Sequence, residues 1–124
     1  ICQGYSGDVM QAMEENEDIQ FVVPREGTSL ASDDMAILKQ ARAPELAHAF
    51  INFMHEPEIA AENTGYVWYL APNTAAYPLV DEEVRNDPAV FLPDDVLANC
   101  ETIRDLGEYN AKFVAAWDAV KAAE

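Results

Sequence analysis

The chain has 124 residues, half of them hydrophobic, and 23 acidic against 7 basic side chains give it a formal charge of −16. Its length and apolar content suit one compact domain and argue against disorder. The charge argues against a nucleic-acid partner, which needs a basic footprint, and favours cationic ligands, although the same charge also serves solubility.

No run of 18 apolar residues is present to span a bilayer. Ile1 in place of an initiator Met reads as a mature product or a piece of a longer chain, so a missing targeting segment says nothing about compartment. In chain order, residues 1–4 read as the end of a strand leading into a turn at Tyr5-Ser6-Gly7, after which Asp8 caps a helix that runs to about Glu15. Residues 19–23, a short apolar run between Glu17-Asp18 and Pro24, predict a buried strand, and Glu26-Gly27 supplies the next turn. Residues 28–38 predict short extended pieces with Met35, Ile37 and Leu38 buried.

Pro44 then starts a helix, since its missing N–H costs nothing at the first helical position, and Glu45 faces the positive end of the dipole. Leu46, Ala47, Phe50, Ile51, Phe53 and Met54 recur at three- and four-residue spacing and form an apolar stripe directed at a core. Pro57 opens a second helix over residues 57–64, with Gly65 as its C-terminal cap and Tyr66 delivered just after the turn. Residues 67–70 are β-branched, aromatic or aliphatic and predict an extended segment that Pro72 breaks and Asn73 follows as a cap. Asp81 is a second cap, Pro93 stands at the start of a helix over residues 94–105, and Gly107 breaks it. Tyr109, Phe113, Ala116, Trp117 and Val120 mark a last amphipathic helix whose stripe reads as core. Cys2 and Cys100 lack the spacing of a zinc or redox motif and read equally as one disulfide or two buried thiols. The mix is α/β and rich in helix, with too few strands for a complete doubly wound sheet.

Four blocks in order, Gly4-Tyr5-Ser6-Gly7-Asp8, the run from Phe21 to Gly27, the run from Asp33 to Ile37, and the run from Ala49 to Tyr66 with Ala71-Pro72-Asn73, resemble the C-terminal portion of the bacterial periplasmic polyamine-binding proteins, the spermidine/putrescine receptors of ABC importers. The resemblance covers nearly the whole chain. It implies part of a type II periplasmic-binding-protein fold, in which residues 1–32 and 74–124 belong to the second lobe and residues 33–73 cross into the first. It also implies a polyamine or other organic cation as ligand, a transporter permease as partner, a periplasmic location, no cofactor and no enzymatic activity. First-lobe strands and their carboxylates would lie upstream of Ile1, so the chain would carry half a site and expose apolar surface, which predicts self-association.

A polyamine is a string of ammonium groups joined by methylenes, so its receptor needs spaced carboxylates with aromatic faces between them. By the resemblance, Tyr5 takes the place of a stacking aromatic, Asp8 and Asp33 those of ammonium-binding carboxylates, and Tyr66 that of the aromatic closing the Gly-Tyr step. Asp8 reads equally as a helix cap. Asp33 and Asp34 repel unless a cation or donor is near. Ala31 departs from the family, which has a second stacking aromatic there, and Trp68-Tyr69 form an insertion that either compensates or packs. Two other classes compete. Gly4 to Asp8 nearly matches the nucleophile elbow of an α/β-hydrolase with Ser6 as nucleophile and His48 or His55 as base, but Asp8 replaces the final glycine. An acidic module for a basic protein would also carry this charge. His55-Glu56-Pro57-Glu58 lacks the second histidine of a zinc helix, so no metal ligand is assigned.

Overall fold

In a computed structural model, which describes residues 1–123, six α-helices and one short two-stranded sheet follow in the order α1 (Ser6–Glu15), β1 (Ser29–Leu30), α2 (Pro44–Met54), α3 (Pro57–Val67), α4 (Glu82–Arg85), α5 (Asp94–Leu97), β2 (Glu101–Thr102) and α6 (Asn110–Lys121). The class is α/β and helix-rich. The strands are parallel, with Ser29 opposite Glu101 and Leu30 opposite Thr102, so the chain between them forms a long crossover that carries α2 to α5. Gly27 makes this pairing possible. Its φ of +97° suits a residue without Cβ, and any Cβ there would collide with the Asn99 carbonyl just ahead of β2.

The core is small and lies between α3 and residues 76–91. Ala60 and Ala61 of α3 bury against Ala76, Val80, Val84 and Val90, and the half-buried Trp68, Ala71 and Phe91 close its edge. Alanines on α3 permit close approach, while Tyr77 and Phe91 meet edge to face with ring centres 5.3 Å apart. Asn73 ties this layer to α2: its Nδ2 donates to the His55 carbonyl at 2.7 Å and its Oδ1 accepts from Ala75 N–H at 3.1 Å. Asp81 caps α4 as the sequence predicts, its Oδ1 accepting from Glu83 N–H at 2.9 Å.

Several expectations are corrected. Asp8 does not cap α1, because the helix begins at Ser6 and Asp8 already lies in its first turn. Residues 1–4, 19–23 and 67–70 join no strand, since no neighbouring backbone among the described residues offers them a ladder. The 94–105 helix stops at Leu97, and the segment turns at 98–100 to pair as β2. Gly65 lies inside α3; the helix runs to Val67 and is capped by Trp68 in the left-handed region at φ 58°. Tyr66 is therefore the last-turn residue of a helix, not the first after a turn. Met35 and Leu38 are exposed, with only Ile37 half-buried. Neither the α2 stripe nor the α6 stripe is core: no residue of either helix is buried, and Phe50, Phe113 and Trp117 are 57%, 62% and 62% exposed. Cys2 and Cys100 are both free thiols, that of Cys100 donating to the Val96 carbonyl.

Candidate functional site

The N-terminus of α1 meets the end of α3 at Gly7. A Cβ on Gly7 would strike the Val67 carbonyl and come within 2.6 Å of the Tyr69 ring, so hydrogen at this position lets the two elements touch. The Tyr69 ring consequently rests on the first turn of α1. With it a cleft of about 490 Å³ is lined by Tyr5, Ser6 and Asp8 at the start of α1 and by Ser29 and Leu30 of β1, with Phe21 and Val23 supplying apolar surface.

Tyr69 carries the electrostatic signature of the site. Removal from water pushes its hydroxyl above the usual tyrosine range, and the carboxylates of Asp8 and, more weakly, Asp33 push in the same direction by opposing a second negative charge. The backbone amides of Asp8 and Gly7 act the other way, by donating toward the oxygen. The hydroxyl is thus a reporter of position: it lies within electrostatic reach of both candidate carboxylates and against the helix N-terminus.

The structure brings three of the four sequence-nominated residues into this neighbourhood. Tyr5 and Asp8 line the cleft, and Asp33 reaches it through its field at Tyr69, although its side chain is not part of the wall. Tyr66 projects from α3 outside the cleft and is 83% exposed. Ala31 does line the cleft, so the absence of an aromatic there leaves open space. Tyr69 is the residue that reading by blocks ranked below Tyr66. Its signal was the αL cap one residue earlier, and a tryptophan gives no hint of that conformation, which glycine or asparagine usually occupies.

The hydrolase arrangement does not form. Ser6 lies in the cleft wall as the first residue of α1, but no histidine lines the cleft; His48 belongs to α2 and His55 ends it. Among the described residues no group of three His, Cys, Asp or Glu side chains could hold a metal ion.

The cleft sets the Asp8 carboxylate beside the rings of Tyr5 and Tyr69 on an α/β scaffold, and solved structures of similar shape specify that scaffold. The substrate-binding protein PotD of a spermidine/putrescine ABC transporter from Streptococcus pneumoniae superposes with a TM-score of 0.75 at 34% identity, over 94% of this chain and 36% of that one. A putative spermidine/putrescine ABC transporter protein from Listeria monocytogenes gives 0.72 at 36% identity, over 87% of this chain and 34% of that one. The fold is therefore part of a periplasmic-binding-protein fold. A profile for the bacterial extracellular solute-binding proteins matches residues 1–92, and the chain belongs to that family. The putrescine-binding periplasmic protein SpuD of Pseudomonas aeruginosa is 36% identical over 98% of this chain and 35% of its own length. The chain thus spans about a third of the relatives it matches. The periplasmic location inferred from the sequence blocks agrees with the family description and with the relatives' names.

Proposed function

We propose that this chain supplies one wall of the ligand cleft of a polyamine receptor, the solute-binding component of an ABC importer. The observation that carries the reading is the cleft lined by Tyr5, Asp8 and Tyr69, with the Asp33 carboxylate near enough to help raise the Tyr69 hydroxyl pKa. Two carboxylates with ring faces around them match an alkyl chain bearing an ammonium group: the carboxylates accept charge-assisted hydrogen bonds, and the rings cover methylenes and attract the cation. Tyr69, and not Tyr66, takes the second aromatic role in this arrangement. Relatives named for putrescine or for spermidine and putrescine support the ligand class. On this reading residues 1–32 and 74–124 belong to one lobe, residues 33–73 reach toward the other, and a transporter permease receives the loaded receptor.

The test is calorimetry of the full-length protein with putrescine and with spermidine, repeated for Asp33→Ala. Binding of at least one ligand is expected, and loss of a charge-assisted hydrogen bond weakens it by roughly ten- to a hundredfold. Absence of heat with both ligands, or an Asp33→Ala protein that binds as well as its parent, refutes the reading.

A further inference from the structure

Tyr69 lies outside any helix or strand, yet the chain is held on both sides of it. The residue before it, Trp68, occupies the left-handed region at φ 58° and ψ 25°, and is the sole non-glycine residue with positive φ among those described. Its N–H still closes the helix on the Thr64 carbonyl at 2.9 Å, and its side chain packs against the alanine and valine core under α3. Two residues after Tyr69, the Ala71 N–H donates to the Thr64 hydroxyl at 3.1 Å. Thr64 is 1% exposed, so this bond is shielded from competing water. One buried threonine therefore anchors both ends of the loop, through its carbonyl to Trp68 and its hydroxyl to Ala71. Tyr69 lies between these anchors, with its ring seated on Gly7.

We infer that Trp68 and Thr64 are positioning residues: they form a rigid mount that holds the Tyr69 ring over the first turn of α1, ready for an organic cation in the cleft. The αL turn is the geometric step that makes this work. A residue continuing the helix at position 68 would carry position 69 around α3, in the direction Tyr66 takes. Helical spacing already sets Trp68 on the buried face of Ala61 and Thr64; reversing the backbone sign at that residue turns the chain so that Tyr69 lies in the cleft wall. The apolar anchor compensates the steric cost of placing a bulky L-residue in that region. A ring held in advance loses little rotamer freedom when ligand arrives, which is the benefit a mount confers on affinity.

This inference rests on the polyamine reading for its ligand but not for its geometry, and two readouts separate them. In the full-length protein, the titration of Tyr69 is followed by NMR of ring-labelled tyrosine, with the Tyr69 signal assigned by its loss in Tyr69→Phe. Putrescine affinity is measured in parallel for Trp68→Ala, Thr64→Val and Tyr69→Ala, and for each of the first two combined with Tyr69→Ala. Thr64→Val keeps the shape of the side chain and removes only the bond to Ala71, so it serves if Trp68→Ala fails to fold. The expected result is that Trp68→Ala and Thr64→Val return the Tyr69 titration toward the ordinary tyrosine range. Each should also weaken putrescine roughly two- to thirtyfold, the range a cation–π contact contributes, with no further loss when Tyr69 is already alanine. Unchanged titration in a folded Thr64→Val protein overturns the mount whatever the ligand does. If Tyr69→Ala binds putrescine normally while the titration shifts as expected, the mount stands and the polyamine role of Tyr69 falls. Additive affinity losses in the double variants would overturn the positioning role and leave Trp68 and Thr64 as ordinary packing.

Discussion

At position 7 an added Cβ would strike the Val67 carbonyl and the Tyr69 ring, while at position 65 it would meet nothing within 4 Å. The two glycines, one packed and one facing open space, therefore respond oppositely to the same substitution. Gly7→Ala should destabilise by about 1–3 kcal/mol through overpacking, and should weaken ligand binding because Tyr69 must move. Gly65→Ala should stabilise by about 0.5–1 kcal/mol, since the position is helical and glycine is the poorer helix former. Urea denaturation of the two variants tests both signs. Tyr69 adds a pH term. Its folded-state pKa is raised, so the folded state holds the proton more tightly than the unfolded state. Its contribution is fully present below the unfolded tyrosine pKa and is lost as pH rises through the higher folded value. Stability measured on the alkaline side should fall less steeply in Tyr69→Phe than in the parent, and identical slopes would contradict the raised pKa of that hydroxyl.

Among the elements, α4 is set by local chemistry, whereas the end of α3 is set by packing. α4 has only four residues, and its first turn depends on the Asp81 cap. Asp81→Ala should cost about 0.5–2 kcal/mol, whereas Asp8→Ala should leave helix stability nearly unchanged because Asp8 makes no capping bond. Thermal melts of the two variants distinguish these cases. Caps and prolines were legible in the sequence: Pro44 and Pro57 each stand at the start of a helix, as their fixed φ and missing N–H require. The end of α3 was not. Gly65 has the composition of a stop signal, but the stop fell three residues later because Trp68 found a core contact that Gly65 could not make. Likewise the alternation of half-buried Phe21 and Val23 around exposed Val22 is strand-like, yet no ladder forms without a neighbouring strand. A period states which side chains share a face, not what that face meets.

For the whole molecule, surface area is the governing quantity. A compact monomer of this mass would expose about 6,600 Å² by the usual scaling, whereas the described chain exposes 10502 Å². The excess includes the apolar faces of α2 and α6, from Leu46 and Phe50 to Phe113, Trp117 and Val120. The chain by itself should therefore self-associate at micromolar concentration, and Phe113→Glu with Trp117→Glu should shift light scattering toward the monomer. A monodisperse monomer of the unaltered chain would sink this prediction. Charge acts at the same scale. Lys121 with Asp118 is the only ion pair among the described residues, so most of the carboxylates stay unneutralised. If the proposed polyamine role holds, affinity for putrescine should fall as salt rises, because exposed charges are screened beyond about 8–10 Å.

Residue identity alone determined the helix starts at Pro44 and Pro57, the Asp81 cap, the Gly27 turn and the ordered blocks that mark the family, because these depend on φ, on a missing N–H, or on a hydrogen bond within a few residues. It also nominated Tyr5 and Asp8, which line one cleft, and Asp33, whose carboxylate lies outside that wall but within electrostatic reach of Tyr69. Only the tertiary structure decided between Tyr66 and Tyr69. Both are tyrosines at the end of the same helix, and which one faces the cleft depends on where Trp68 reverses the backbone. That reversal is stabilised by a core assembled from residues as far along the chain as Val90 and Phe91.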